Sequence, residues 1–163
     1  MSKILVAYAS KHGSTEGIAR GLADRFRELG HEADTRSVTD DLDLEGADAV
    51  VLGSAIYAGS WMKEATEFAH RHADALGRVP VWLFSSGPLG TEVQDHEEQP
   101  RQLAELTETL RPKEHRIFFG ALDQSKLGFG ERILVKAVKA PDGDFRDWDQ
   151  IRDWAAAIAE QLR

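Results

Sequence analysis

The stretch that decides the fold is Lys3–Leu29, KILVAYASKHGSTEGIARGLADRFREL. Its first half, Ile4 to Ala9, is apolar and uncharged, long enough for one strand buried on both faces. Its second half carries Ile18, Leu22, Phe26 and Leu29 at near-helical spacing with charges between them, and Gly30 follows as a C-terminal stop. Between the halves lies Ser10-Lys11-His12-Gly13-Ser14-Thr15, a hydroxyl-rich turn with one glycine. A strand feeding a helix through such a turn gathers unpaired backbone N–H groups and side-chain hydroxyls around one small volume. The positive end of the helix dipole adds to them, so that volume favours an anion, above all a phosphate. The same hydroxyls also serve as ordinary helix caps, so the turn alone does not decide between the two. The spacings G-x-x-x-x-G-K-[ST] and G-x-G-x-x-G are absent from it.

Working outward, Glu32 to Val38 alternates weakly and predicts a short strand near a sheet edge. Ala49-Val50-Val51-Leu52 is a second wholly apolar run, ending at Gly53 and followed by an apolar loop, Ser54 to Trp61. Ala65, Phe68, Ala69, His72 and Leu76 share one face of a helix predicted from Lys63 to Leu76. Pro80 opens a third buried strand, Val81 to Phe84, which runs into the loop Ser85-Ser86-Gly87-Pro88-Leu89-Gly90. Thr91 to Gln99 is polar and expected to be exposed. Leu103, Leu106 and Leu110 mark a helix ending before Pro112, and His115 to Leu122 supplies a further strand. Within Gly128–Lys139, Ile133, Val135 and Val138 suit a strand, while Phe129, Ile133 and Ala137 line up at helical spacing, and a helix is expected. Asp147 with Gln150 reads as a capping box before a last helix that turns Ile151, Trp154, Ala155, Ile158 and Leu162 inward.

Strands thus alternate with helices throughout, which argues for a parallel α/β sheet covered on both faces. No repeat or linker divides the chain, so residues 1–163 are expected to form a single domain. In such sheets ligands sit outside the carboxyl ends of the strands, at the point where strand order reverses. The three loops Ser10–Thr15, Ser54–Trp61 and Ser85–Gly90 all leave those ends and should converge on one crevice.

Composition narrows the function. A net charge of −8 disfavours nucleic acid, whose phosphates would be repelled. Cysteine is absent, which excludes disulfides, thiolate metal sites and a cysteine nucleophile. His70, His96 and His115 have no partners at ligand spacing, so no metal is expected. No apolar stretch approaches ~20 residues and no signal peptide pattern opens the chain, so a cytoplasmic protein is expected.

These loops make the chain resemble the flavodoxins. The resemblance implies a doubly wound five-stranded parallel sheet in the order 2-1-3-4-5, and one FMN bound without a covalent link. It assigns Ser10, His12, Gly13, Ser14 and Thr15 to the phosphate turn. Ser54, Ala55, Ile56, Tyr57 and Trp61 fall in the second loop, and Ser85, Ser86, Gly87, Pro88, Leu89 and Gly90 in the third, the two that sandwich the isoalloxazine ring. His12 stands where the family usually has a hydroxyl, and Lys11 brings a charge to a turn of neutral donors. Within the family, YASKHGSTEGIA (8–19), GSAIYAGSW (53–61) and DFRDWDQI (144–151) are most similar to the menaquinone-dependent protoporphyrinogen dehydrogenase group.

Tyr57 and Trp61 present flat faces suited to stacking on a flavin, or equally to capping the core. Trp82, inside a strand, reads as core. His72 reads as a core histidine on an apolar helix face. No side chain stands out as a catalytic acid or base. Two functions therefore compete. One is a quinone-linked FMN dehydrogenase of the protoporphyrinogen type, with a quinone or tetrapyrrole as partner and peripheral contact with the inner face of a membrane. For that contact, Arg132, Lys136 and Lys139 are the candidate cations. The other is a one-electron carrier docking on redox proteins through its acidic surface. A flavin-free receiver-like module fits poorly, because the apolar strands end at Ser10, Gly53 and Ser85 rather than at acids.

Overall fold

The computed structural model describes residues 2–10, 14–40, 44, 46–57, 60–86, 103–118, 121–122, 143–144 and 148–162. Its centre is a five-stranded parallel sheet of β1 (Lys3–Ala9), β2 (Glu32–Ser37), β3 (Ala49–Tyr57), β5 (Val81–Ser86) and β6 (Glu114–Phe118). The spatial order is β2-β1-β3-β5-β6, the 2-1-3-4-5 arrangement expected from the resemblance. The short β4 (Ser60–Trp61) folds back antiparallel on the end of β3, pairing Ile56 with Trp61 and Tyr57 with Ser60. A separate antiparallel pair joins β7 (Ala121–Leu122) to β8 (Gly143–Asp144).

Each central strand feeds both faces of the sheet, because successive side chains point to opposite sides. Ala49 and Val51 of β3, with Trp82 and Phe84 of β5, pack against α1 (Ser14–Glu28) and α5 (Trp148–Gln161). Their neighbours Val50, Leu52, Val81 and Leu83 pack against α2 (Lys63–Arg71), α3 (Ala73–Leu76) and α4 (Leu103–Leu110). On the first face Phe84 lies 6.2 Å from Phe118 and 6.3 Å from Trp154, ring centre to ring centre. Such aromatic pairs add roughly 0.5–1.5 kcal/mol each beyond burial. The Trp154 indole donates to Glu114 at 2.8 Å and so joins α5 to the edge strand β6.

Gly30 stops α1 as its position predicts. It adopts φ +93°, while the N–H groups of Gly30 and His31 donate to Arg27 O and Phe26 O, closing a Schellman turn. Arg27 then reaches Ala33 O with two donors, at 2.7 and 3.0 Å, tying the helix to the edge strand β2.

Three elements differ from the sequence reading. Strand β3 runs five residues beyond Leu52, because Ala55, Ile56 and Tyr57 extend the pleat and the last two gain partners in β4. The helix predicted over Lys63–Leu76 is reset at His72 (φ −108°, ψ 19°), whose ring packs 4.7 Å from Phe68. The strand predicted over His115–Leu122 is two elements, β6 and β7. The predictions for 91–99, 128–139 and Asp147 lie outside the described residues.

Candidate functional site

The carboxyl ends of β1, β3 and β5 lie side by side. Ala9 is in register with Ser54, Ser54 with Ser85, and Ala55 with Ser86. Ser10 follows β1 directly, and α1 begins at Ser14. The first two loop starts and the third are therefore brought to one end of the sheet, as the topology requires. Lys11, His12, Gly13 and Gly87 to Gly90 lie outside the described residues, and of Ser14 and Tyr57 only the backbone is described.

Among the described residues, four buried hydroxyls sit at this end: Thr15, Ser54, Ser85 and Ser86. They are used differently. Ser54 Oγ accepts from the Met62 N–H at 2.9 Å and donates to Ala55 O, which pins the corner after β4 to β3. Ser85 Oγ accepts from the Trp61 indole at 2.7 Å and also lies 2.7 Å from His115 Nε2. Thr15 Oγ1, at 0% exposure in the first turn of α1, has no hydrogen-bond partner among the described residues. An unpaired buried hydroxyl costs about 1–3 kcal/mol, which a ligand oxygen could recover. Thr15 lies in the first turn of α1, whose leading backbone N–H groups lack intrahelical partners, and helix N-termini favour anions. The donor set at Thr15 thus fits a phosphate.

Beneath the turn a side-chain brace joins β1 to α1. The Tyr8 hydroxyl donates to Glu16 Oε1 at 2.8 Å, and Arg20 Nη2 approaches the same oxygen at 3.4 Å. Burial first, then Glu16, pushes the Tyr8 hydroxyl up to about 12. The carboxylate is thereby held by Tyr8 and Arg20 in the first turn, where it also complements the helix dipole. Nothing in the sequence reading pointed to this pair, because its members lie in different elements on either side of the turn.

Trp61 is 3% exposed and belongs to the core cluster under α2, with its N–H engaged by Ser85. Ile56 and Ala55 are half-buried on the β3 extension. Trp82 is core, as its place in a strand suggested. His72 is half-buried against Phe68, and burial, then Arg71, holds its imidazole below the usual range. His115 is the residue the sequence reading missed. Burial pushes it down to about 4, so it is neutral near pH 7, and its Nε2 is joined to Ser85.

Gly53, between Leu52 and Ser54, has a packing reason of its own. A Cβ there would meet Phe84 Cζ at 2.1 Å. Glycine lets the buried Phe84 ring pass directly against β3 where the site begins.

Among known proteins, the chain is 26% identical to the protoporphyrinogen IX dehydrogenase [quinone] of Escherichia coli K12 over an alignment of 171 positions. That alignment covers 96% of this chain and 94% of the relative. Its fold matches a Streptococcus pneumoniae TIGR4 flavodoxin with a TM-score of 0.66 at 18% identity, covering 98% and 99% of the two chains. It also matches oxidised flavodoxin 2 of Bacillus cereus with a TM-score of 0.63 at 24% identity, covering 98% and 99%. Residues 5–149 fit the model of the flavodoxin domain, and the chain belongs to that family.

Proposed function

We propose that this protein binds one FMN at the carboxyl ends of β1, β3 and β5 and works as a quinone-linked dehydrogenase of the protoporphyrinogen type. The observation that carries the binding reading is Thr15 Oγ1, buried and unpartnered at the start of a 15-residue helix. Thr15 and the backbone around the turn would hold the phosphate. The strand ends at Gly53–Tyr57 and Ser85–Ser86 would meet the ring, largely through backbone groups, since Ser54 and Ser85 already spend their hydroxyls within the protein. When bound, FMN supplies the redox chemistry; the protein orients it and excludes water.

The dehydrogenase reading draws support from likeness along nearly the whole length of a protoporphyrinogen IX dehydrogenase. The half-buried, apolar Ala55-Ile56 of the β3–β4 hairpin suits a broad apolar substrate better than a charged docking rim. A second reading, a one-electron carrier, has its own observations: the flavodoxin-like fold and a net charge of −8, which suits docking on redox proteins.

Two measurements test the proposal. Apoprotein titrated with FMN, FAD and riboflavin should bind FMN far more tightly, since the turn offers donors for one phosphate; equal affinities refute the phosphate site. The FMN-loaded protein should then oxidise protoporphyrinogen anaerobically and pass electrons to a menaquinone analogue with saturation. Electron exchange with redox proteins, with no turnover of protoporphyrinogen and no saturation by quinone, would assign it as a carrier.

A further inference from the structure

The edge strand β6 is joined to the end of β5 by the side chain of His115. The Trp61 indole donates to Ser85 Oγ at 2.7 Å, and Ser85 Oγ stands 2.7 Å from His115 Nε2. An indole nitrogen only donates, so the serine oxygen accepts from Trp61 and its own proton remains to be given. Burial keeps His115 neutral, and in the tautomer protonated on Nδ1 its Nε2 would accept that proton. Trp61 and Ser85 are themselves almost wholly buried. In that tautomer the chain of bonds runs Trp61 → Ser85 → His115, across three strands, on the face covered by α2 and α4.

Its ends matter for the site. Trp61 closes the β3–β4 hairpin, and Ser85 lies one residue from the described end of β5. Met62 N–H, next in sequence to Trp61, is held independently by Ser54 Oγ, the register partner of Ser85. The corner Trp61-Met62 is thus fastened to two adjacent strand ends by two hydroxyls, and of these two bonds the one to Ser85 is linked to a titratable side chain.

We infer that His115 is a positioning residue for the flavin site: by accepting from Ser85 it orients that hydroxyl toward Trp61, and so fixes the β3–β4 hairpin against the end of β5. This rests on the FMN-binding reading above. His115 touches no cofactor atom in this scheme; it acts through Ser85. The second fastening, from Ser54 to Met62, means that losing His115 should loosen the hairpin without dismantling the sheet.

The test uses the full chain with His115→Leu, which fills similar space without an acceptor, and His115→Gln, whose side-chain amide can still accept. In flavin-free protein labelled with nitrogen-15, the Trp61 indole resonance, assigned with Trp61→Phe, should shift upfield in the Leu variant and return toward its original position in the Gln variant. The FMN dissociation constant should rise, by up to about tenfold, in the Leu variant because the loosened hairpin must be ordered again on binding, and recover at least in part with Gln. The visible spectrum of bound FMN should shift in the Leu variant only. A Leu variant with an unmoved Trp61 resonance, or with FMN affinity within twofold of the original and an identical flavin spectrum, overturns the role. So does a Gln variant as impaired as Leu. Failure of the unmodified protein to bind FMN would instead overturn the functional reading itself, and the indole resonance would still report whether the bond chain exists.

Discussion

Replacing Thr15 with Val should move stability and ligand affinity in opposite directions. Valine keeps the β-branched shape and changes helix propensity little. It removes one hydroxyl that is fully buried and unpartnered in the ligand-free protein. Leaving such a group unsatisfied costs about 1–3 kcal/mol. Substituting a methyl should recover part of that, on the order of 1 kcal/mol, or roughly 2–4 °C in Tm for a chain of this size. If the hydroxyl's partner is a phosphate, the bond to a charged group is worth ~1.5–3 kcal/mol, so FMN should bind about one to two orders of magnitude more weakly. Thermal melts of apoprotein and a flavin fluorescence titration read the two effects separately. The two signs together are the signature. A hydroxyl serving as a helix cap would lower the apoprotein Tm on removal and leave FMN affinity unchanged, and that outcome would refute the assignment.

Other consequences follow from the same contacts. Gly53→Ala should destabilise the chain by about 1–3 kcal/mol through overpacking, since its Cβ would come within 2.1 Å of Phe84 Cζ and that ring is already bounded by Phe118 and Trp154; an unchanged urea midpoint would count against it. Because His115 titrates at about 4 in the folded chain against 6.5 ordinarily, the unfolded state binds the extra proton between those values. Stability should fall as pH drops from about 6.5 to about 4, and the loss should be smaller in His115→Gln; parallel pH profiles for both proteins would refute this. Tyr8 carries the opposite window: its hydroxyl is held to about 12 against 10 ordinarily, so the unfolded chain loses its proton first. Stability should decline as pH rises from about 10 to about 12, and Tyr8→Phe should remove that part of the decline in denaturant midpoints.

The sheet was legible because a strand buried on both faces has no place for a charge. Val50–Leu52 and Val81–Phe84 are uniformly apolar, and each supplies both core clusters by simple alternation. The end of β3 was harder to read. Gly53-Ser54 interrupts an apolar run with the residue types that usually close a strand, and the sequence reading ended the strand there. The structure gives both residues reasons that a linear pattern does not carry. Gly53 makes room for a phenylalanine from the next strand, and Ser54 satisfies a backbone N–H eight residues on. The break at His72 escaped for a related reason: the helical spacing of apolar residues continues through it, and only the local backbone departs.

At the site, the residue types could be read while their allocation could not. Hydroxyls at three strand ends announce a polar crevice, yet a serine that binds a ligand and a serine that fastens a loop look the same in sequence. What separates them is the partner, and the partners here are distant: Trp61 lies 24 residues from Ser85, and His115 lies 30. Once those bonds are drawn, the buried hydroxyls divide by work. Ser54 and Ser85 are committed to holding the hairpin corner, whereas Thr15 Oγ1 has no hydrogen-bond partner among the described residues. A buried hydroxyl without a partner lowers stability, and under the proposed reading a ligand oxygen would offset that cost. The Tyr8–Glu16–Arg20 brace strengthens this division, since it fixes the first turn of α1 with side chains and leaves the Thr15 hydroxyl uncommitted. In the proposed site, the phosphate would therefore meet a hydroxyl still uncommitted, and the ring would meet strand ends whose hydroxyls are already bonded within the protein.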